Sequence, residues 1–164
     1  MVIEEVKVDR MQDYRLGGLV SYLLRAQSAF YTQRLRPYNI SYGQFPFLMA
    51  LYREDGVNQE TIAKRLLFNK ATIARAIDKL ERGGYVYRTQ DEYDGRANRI
   101  FLTPKGREIR PVLDQLSHEW NSILISGFTE IERILLKELM RKIVSSVMHE
   151  MDQEDMAILS ELMK

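Results

Sequence analysis

The sequence contains no cysteine, only two histidines and only four prolines among its 164 residues. The absence of cysteine excludes a disulfide framework, a thiolate metal site and a cysteine-based redox sensor. No stretch approaches the roughly 18 unbroken apolar residues that a membrane-spanning helix requires. The first residues, MVIEEVKVDRMQDY, are too acidic and polar for a secretory or organellar signal. We therefore expect a cytoplasmic protein without a membrane partner.

Signals for catalysis or for a bound cofactor are equally scarce. His118 and His149 are far apart and lack partners at the spacing of a metal or nucleophile site. Neither a glycine-rich phosphate loop nor a Gly-x-Ser-x-Gly motif occurs. We expect no enzymatic activity, no metal and no cofactor, and structural or surface roles for both histidines.

Charge is distributed unevenly, although the net charge is only +1. The segment from Lys64 to Arg110 contains twelve lysines and arginines against six acidic residues, whereas the rest of the chain contains twelve against seventeen. A basic middle segment thus lies between more acidic ends. Such a concentration of positive charge is typical of a surface that meets an acidic partner such as nucleic acid.

Apolar residues at helical spacing predict two helices before this basic segment. The first covers residues 13–36 and ends at Pro37, which cannot continue a helix. The second begins at Ser41, because Ser41 and Gln44 have the spacing of a capping box. Pro46 follows near its start, where a missing N–H costs least.

The basic segment opens with two short amphipathic helices. Asn58 precedes QETIAKRLL and Asn69 precedes KATIARAIDKLERGG, so each helix has an asparagine at its predicted N-cap. Only Leu67 and Phe68 separate the two. So short a link between two helices predicts a helix-turn-helix.

A β-hairpin is predicted next. The runs YVYRTQD and NRIFLT are rich in β-branched and aromatic residues, and Asp94-Gly95 between them is a turn signal. Thr103 then caps a helix with Pro104 at its first position, and we expect this helix to continue unbroken to Leu124. A last helix begins with a second capping box, Thr129 and Glu132, and another short helix is expected after residue 152.

This order of elements predicts a mainly α fold with a small β-hairpin wing. Residues 41–110 form a winged helix-turn-helix region. Residues 1–40 and 111–164 supply N- and C-terminal helices whose apolar surface exceeds what a small winged-helix core needs. We expect these helices to mediate dimerisation; the alternative is that the C-terminal tail folds onto its own subunit.

The second helix of the helix-turn-helix has a polar, basic face opposite its apolar stripe. Recognition helices place such residues in the DNA major groove, so Thr72 and Arg75 are candidates for base contacts, with Arg75 alternatively on phosphate, and Lys70 for a phosphate contact. The alternative is a merely solvated helix face. The candidate DNA-binding residues of this helix are Asn69, Lys70, Ala71, Thr72, Arg75 and Lys79.

The hairpin carries two further candidate DNA contacts, Arg96 and Arg99. An arginine at a hairpin tip can enter the minor groove, and the nearby carboxylate of Asp94 can orient its guanidinium group. Asp94 and Gly95 would then support the wing without contacting DNA. Alternatively, Asp94-Gly95 only makes the turn and the arginines only keep it solvated.

The chain resembles the MarR family of bacterial and archaeal transcription regulators over roughly residues 14–148. The most specific motifs are DKLERGGY and the wing pattern DGR followed by IFLTPKG. The resemblance implies that Arg96 is the minor-groove arginine, that Asp94 supports it and that residues 69–79 read the DNA. It also implies a homodimer with interleaved terminal helices, and often a small anionic or phenolic effector bound between the dimerisation and DNA-binding regions.

These observations together predict a homodimeric, sequence-specific regulator that binds an inverted-repeat operator in double-stranded DNA, most simply as a repressor released by an effector. The alternative is a winged-helix module that binds protein without reading bases. The basic middle segment favours DNA, because a protein-docking surface does not need such a charge. The sequence does not assign an effector site, since aromatic residues at helical spacing usually belong to a core.

Overall fold

The structure is a computed structural model that describes residues 14–66, 68–91 and 98–151. The described part of the chain is mostly helical and contains a small sheet, which confirms the predicted fold class. The helices are α1 (Leu16–Leu35), α2 (Phe45–Arg53), α3 (Gln59–Leu66), α4 (Lys70–Arg82), α5 (Pro104–Glu108), α6 (Arg110–Ile125) and α7 (Glu130–Glu150). The strands are β1 (Val57–Asn58), β2 (Val86–Gln90) and β3 (Asn98–Leu102). No helix in these ranges combines the length and apolar character needed to span a bilayer.

Both predicted capping boxes are confirmed by their hydrogen bonds, although α2 begins at Phe45 and not directly after Ser41. The Ser41 N–H donates to the Gln44 side chain at 2.7 Å. This capping box starts a 3-10 turn, and α2 follows the turn. Pro46 therefore falls within the first two positions of α2. The second box holds the start of α7, where the Thr129 N–H donates to Glu132 at 2.7 Å. This backbone N–H bond stabilises the carboxylate and lowers the pKa of Glu132.

The sheet has three strands, in the order β1-β3-β2, where the sequence predicted only a two-stranded hairpin. β3 pairs antiparallel with both neighbours, with Val57 opposite Ile100 and Val86 opposite Leu102. β1 was missed because two residues are too few for a pattern. Asn58 also caps α3, accepting a 2.7 Å bond from the Thr61 N–H, so the N-cap prediction was correct.

The prediction of one continuous helix from Pro104 to Leu124 was wrong. The helix ends as α5 at Glu108, and α6 begins at Arg110. Pro111 explains the break, because its nitrogen has no hydrogen to donate to the preceding turn. The predicted cap at Thr103 is confirmed, since its hydroxyl accepts a 3.0 Å bond from the Gly106 N–H.

One hydrophobic core joins the helix-turn-helix to parts of the terminal helices. The C-terminal half of α1 supplies Phe30, Tyr31 and Leu35, and the N-terminal half of α6 supplies Leu113 and Leu116. The other ends of these helices leave most of their apolar side chains exposed, and α7 has no buried residue. The core therefore fixes where α1 and α6 leave the winged-helix region.

A close contact at Gly106 locks α2 and β2 to the start of α5. The Tyr52 hydroxyl donates a 2.6 Å hydrogen bond to the Gly106 carbonyl, and burial raises the pKa of Tyr52 to about 12. A Cβ atom at Gly106 would lie only 2.1 Å from the carbonyl oxygen of Tyr85. Only glycine therefore fits between these segments without a backbone shift.

Replacing Gly106 with alanine should destabilise the protein by roughly 1–3 kcal/mol, since the added methyl group forces neighbouring backbone apart. Urea unfolding followed by circular dichroism measures the change. Gly127→Ala is the matched control, because a Cβ there meets nothing within 4 Å and should leave stability almost unchanged. Equal stability of the two variants would contradict the proposed lock.

Candidate nucleic-acid interface

The helix-turn-helix is formed by α3 and α4, and Asn69 fixes the start of α4. Its side-chain oxygen accepts a 2.7 Å hydrogen bond from the Thr72 N–H. The predicted N-cap is thus confirmed. The side-chain oxygen of Asn69 is engaged in capping α4. A DNA contact by Asn69 would therefore use its side-chain amide nitrogen.

The outward face of α4 is formed by side chains one turn apart. Ala71, Arg75 and Lys79 are exposed, and Ala71 leaves room beside the first turn. The Arg75 Nε donates to the Ala71 carbonyl at 3.3 Å, which directs this side chain along the helix surface. Lys70 is the first residue of α4. This face is therefore small near its N-terminus and cationic further along.

Thr72 does not project outward, so the predicted orientation of its side chain was wrong, while its predicted base contact stays a prediction. Its exposed fraction is only 9%. Thr72 lies directly before the fully buried Ile73 and one turn before the buried Ala76, so it falls on the edge of the inward side. It lines a shallow groove between α4 and the turn that leads into α2, together with Ser41, Gly43, Gln44, Arg75, Ala76 and Lys79.

The wing residues divide into two groups. Asp94, Gly95 and Arg96 lie outside the described residues, so their roles stay predictions. Arg99 lies within β3 and is half-buried, with its Nε donating a 2.6 Å hydrogen bond to the Gly56 carbonyl. Arg99 therefore ties β3 to the segment that begins β1, and only its remaining guanidinium nitrogens are left for the predicted DNA contact.

Sequence reasoning missed a charged cluster between α4 and β2. Arg88 of β2 forms ion pairs with Asp78 and Glu81, both on α4. The signal was present in the sequence, as two acidic residues three positions apart on an otherwise basic helix. Their partner could not be identified, because hairpin geometry decides which arginine reaches them.

A second cavity, of about 260 Å³, lies between α1, α2 and α3. Arg53 and Arg65 border it; Arg65 is ion-paired with Glu54, while Arg53 has no ion-pair partner within the described ranges. The cavity combines apolar and aromatic walls with positive charge at its edge. Its lining residues are Gln27, Tyr42, Phe45, Pro46, Met49, Ala50, Arg53, Arg65 and Leu66.

The two histidines do not lie together in the structure. His118 and His149 are both exposed and lie on different helices. In the part of the chain that the structure describes, no three histidine or acidic side chains are grouped closely enough to hold a metal ion.

A helix-turn-helix followed directly by antiparallel wing strands defines a winged-helix protein. A family model described as the MarR family matches residues 38–97. A solved MarR transcriptional regulator from Methanosarcina mazei Go1 is 41% identical, with a TM-score of 0.77, over 82% of this chain and 97% of that chain. The regulator SarZ of Staphylococcus haemolyticus is 32% identical over 66% of this chain and 77% of its own length. The chain belongs to the MarR family, whose members are transcription regulators and not enzymes.

One further structure shares the fold and was solved with nucleic acid. It is a MarR family regulator from Listeria monocytogenes complexed with 26mer DNA, with a TM-score of 0.76. Its sequence is 24% identical over 82% of this chain and 89% of that chain, so the similarity concerns the fold alone.

Replacing Asn69 with alanine should cost about 0.5–2 kcal/mol of stability, because the N–H groups of the first turn lose their capping acceptor. Asn69→Ser restores a capping oxygen and is the matched control, with most of the stability retained. Denaturant unfolding of the three proteins measures the difference. If serine destabilises as much as alanine, the cap is not what Asn69 contributes.

Proposed function

We propose that this protein is a homodimeric, cytoplasmic transcription regulator that binds an inverted-repeat operator in double-stranded DNA and represses transcription until a small effector releases it. The observation that carries the proposal is the exposed basic face of α4, next to the antiparallel strands of a wing. The related Listeria protein complexed with 26mer DNA supports the same use of this fold.

In this proposal α4 lies in the major groove. Arg75 contacts a base edge, and Lys70 and Lys79 neutralise phosphates, while Ala71 allows close approach of the helix to the bases. Thr72 contacts the DNA from the edge of the protein groove between α4 and the turn that leads into α2, and not from the outer face of α4. Asn69 combines its capping role with a contact near the helix start.

The wing is proposed to reach the adjacent minor groove. Arg96 enters that groove, Asp94 and Gly95 shape the turn that presents it, and Arg99 supports the strand and contacts phosphate with its remaining nitrogens. In the proposed division of the chain, residues 41–110 bind DNA. Residues 1–40 and 111–164 form the dimer.

Dimerisation is supported by the apolar side chains that the single chain leaves exposed. On α7, Ile131 is 78% exposed and Ile134 is 60% exposed, and on α1 Leu16 is 57% exposed. A row of large apolar residues along two long helices is unfavourable in water and marks an interaction surface. A second copy related by two-fold symmetry would cover it and space two α4 helices for an inverted repeat.

The proposal is tested by selecting bound sequences from a random duplex DNA pool at about 150 mM salt, where counterion release no longer masks specificity. We expect enrichment of an inverted repeat. Recovery of no sequence preference by a folded protein would favour the alternative, a winged-helix module that binds another protein.

On the selected operator, Arg75→Ala should weaken binding by about 1–3 kcal/mol and relax the preference at one base pair. Fluorescence anisotropy with operators mutated one position at a time measures both effects. Arg141→Ala removes the same charge from an exposed position of α7 and serves as the control. A uniform loss on all operators would reassign Arg75 to phosphate.

Replacing Leu139, which is 47% exposed on α7, with glutamate should weaken self-association by about 3–5 kcal/mol, because an unpaired charge would be buried in the interface. Sedimentation equilibrium should show a dimer for the wild type and a monomer for the variant. Lys137→Glu, a change at an exposed polar position of the same helix, should leave the dimer intact. A monomeric wild type would overturn the dimer.

The cavity beside Arg53 is the proposed effector site, since apolar walls with a cation at the rim suit a small aromatic anion. Trp120, the only tryptophan, lies 6.4 Å from Tyr31, which stacks on Tyr42 of the cavity wall at 5.4 Å. Tryptophan fluorescence should therefore report binding of 2-hydroxybenzoate.

Arg53→Ala should weaken this binding by about 1.5–3 kcal/mol, the value of a hydrogen bond to a charged group. Lys137→Ala, outside the cavity lining, is the control. Saturable binding that Arg53→Ala leaves unchanged would place the effector elsewhere.

A further inference from the structure

Two acidic residues interrupt the basic character of α4 on the side that faces β2. Asp78 and Glu81 are partly exposed, with side-chain exposures of 49% and 37%. Carboxylates so close to the proposed DNA surface would repel phosphate. Their presence on this helix therefore needs a role that offsets that repulsion.

Arg88 of β2 binds both carboxylates. One terminal nitrogen donates to Glu81 at 2.6 Å, and the other donates to Asp78 and reaches the carbonyl of Ala74 at 3.5 Å. The Arg88 backbone N–H also donates to Glu81, at 3.1 Å. The Arg88 side chain is only 24% exposed, so these bonds are partly shielded from water and from screening by salt.

The same contacts fix the strand against the helix. Three residues, Gly83, Gly84 and Tyr85, connect α4 to β2, and Gly84 has a φ of +74°, a conformation that few other residues adopt. The N–H groups of Gly83 and Gly84 bond back to carbonyls of α4 and so hold the turn itself, but these bonds do not reach the strand beyond it. Arg88 lies three residues beyond Tyr85, and its guanidinium group spans two acidic residues one helical turn apart, so it holds the strand at a fixed angle to the helix.

We propose that Arg88, held by Asp78 and Glu81, is a positioning residue for DNA binding. It keeps the wing strands in register with α4, so that helix and wing engage adjacent grooves together. Arg88 itself makes no DNA contact in this arrangement. The inference rests on the proposed DNA-binding function and deepens it.

Removing the two acids distinguishes positioning from simple electrostatics. Asp78→Ala/Glu81→Ala takes two negative charges from the proposed interface, so electrostatics alone predicts tighter binding. Positioning predicts operator binding weaker by about tenfold, on the scale of one lost specific contact. Glu60→Gln/Glu108→Gln removes the same charge from exposed positions that do not contact Arg88, and should bind no more weakly than the wild type.

Arg88→Lys tests the fork, because lysine keeps the charge but cannot hold two carboxylates in a fixed plane. We expect it to bind the operator nearly as weakly as Arg88→Ala. Thermal unfolding and sedimentation of each variant show whether the dimer remains folded at the assay temperature. If the folded Arg88→Lys variant bound the operator with wild-type affinity, the two-carboxylate grip of the guanidinium group would not be needed, and the inference would be overturned.

The decisive readout is coupling between Arg88 and the wing. Arg96→Ala should cost about tenfold in affinity in the wild type and less than about threefold in the Arg88→Ala background, because a misplaced wing has no contact left to lose. A general loss of stability would leave the two costs additive. Additive costs, no effect of Arg96→Ala in the wild type, or tighter binding by Asp78→Ala/Glu81→Ala would each overturn the inference.

The failure of this inference is distinguishable from failure of the proposed function. If the wild-type protein selects no DNA sequence, both the proposed function and the positioning role of Arg88 are overturned. A wild-type protein that selects an operator, with Arg88 variants that bind it equally well, removes only the positioning role.

Discussion

Burial of the apolar stripe of α4 is the constraint on which the rest of the structure depends. Ile73, Ile77 and Leu80 are almost fully buried in the core. Since a helix has 3.6 residues per turn, fixing one side fixes the other, and Arg75 and Lys79 are thereby held outward. Core packing and the candidate DNA surface are thus two consequences of one helical register.

Polar contacts secure the wing strands to α4 and to the segment between α2 and β1. Arg88 bonds to acids on α4, Arg99 bonds to the Gly56 carbonyl, and Asp55 accepts a 2.8 Å bond from the Leu102 N–H at the end of β3. Each satisfies a backbone or charged group that the small sheet would otherwise leave to water. The sheet of three short strands becomes a defined support because these contacts bond it to α4 and to the segment before β1.

The terminal helices have two roles within one chain. The inner ends of α1 and α6 complete the winged-helix core, while their outer ends and α7 expose apolar side chains. The uncovered apolar surface is what supports the proposed symmetric pair. In the proposed pair, a change in helix packing would alter the spacing of the two α4 helices, and this is how an effector in the proposed cavity would influence DNA binding.

The sequence by itself determined the elements whose signals are local. The asparagine caps at Asn58 and Asn69, the two capping boxes and the periodicity of each helix depend on residues within a turn or two, so they could be predicted. Tertiary structure alone decided the rest. Thr72 is buried because the turn that leads into α2 packs beside it. β1 exists because β3 offers it a partner, and Arg88 reaches the acids of α4 because the chain reverses between α4 and β2. These outcomes depend on contacts between residues far apart in the chain, which no local pattern records.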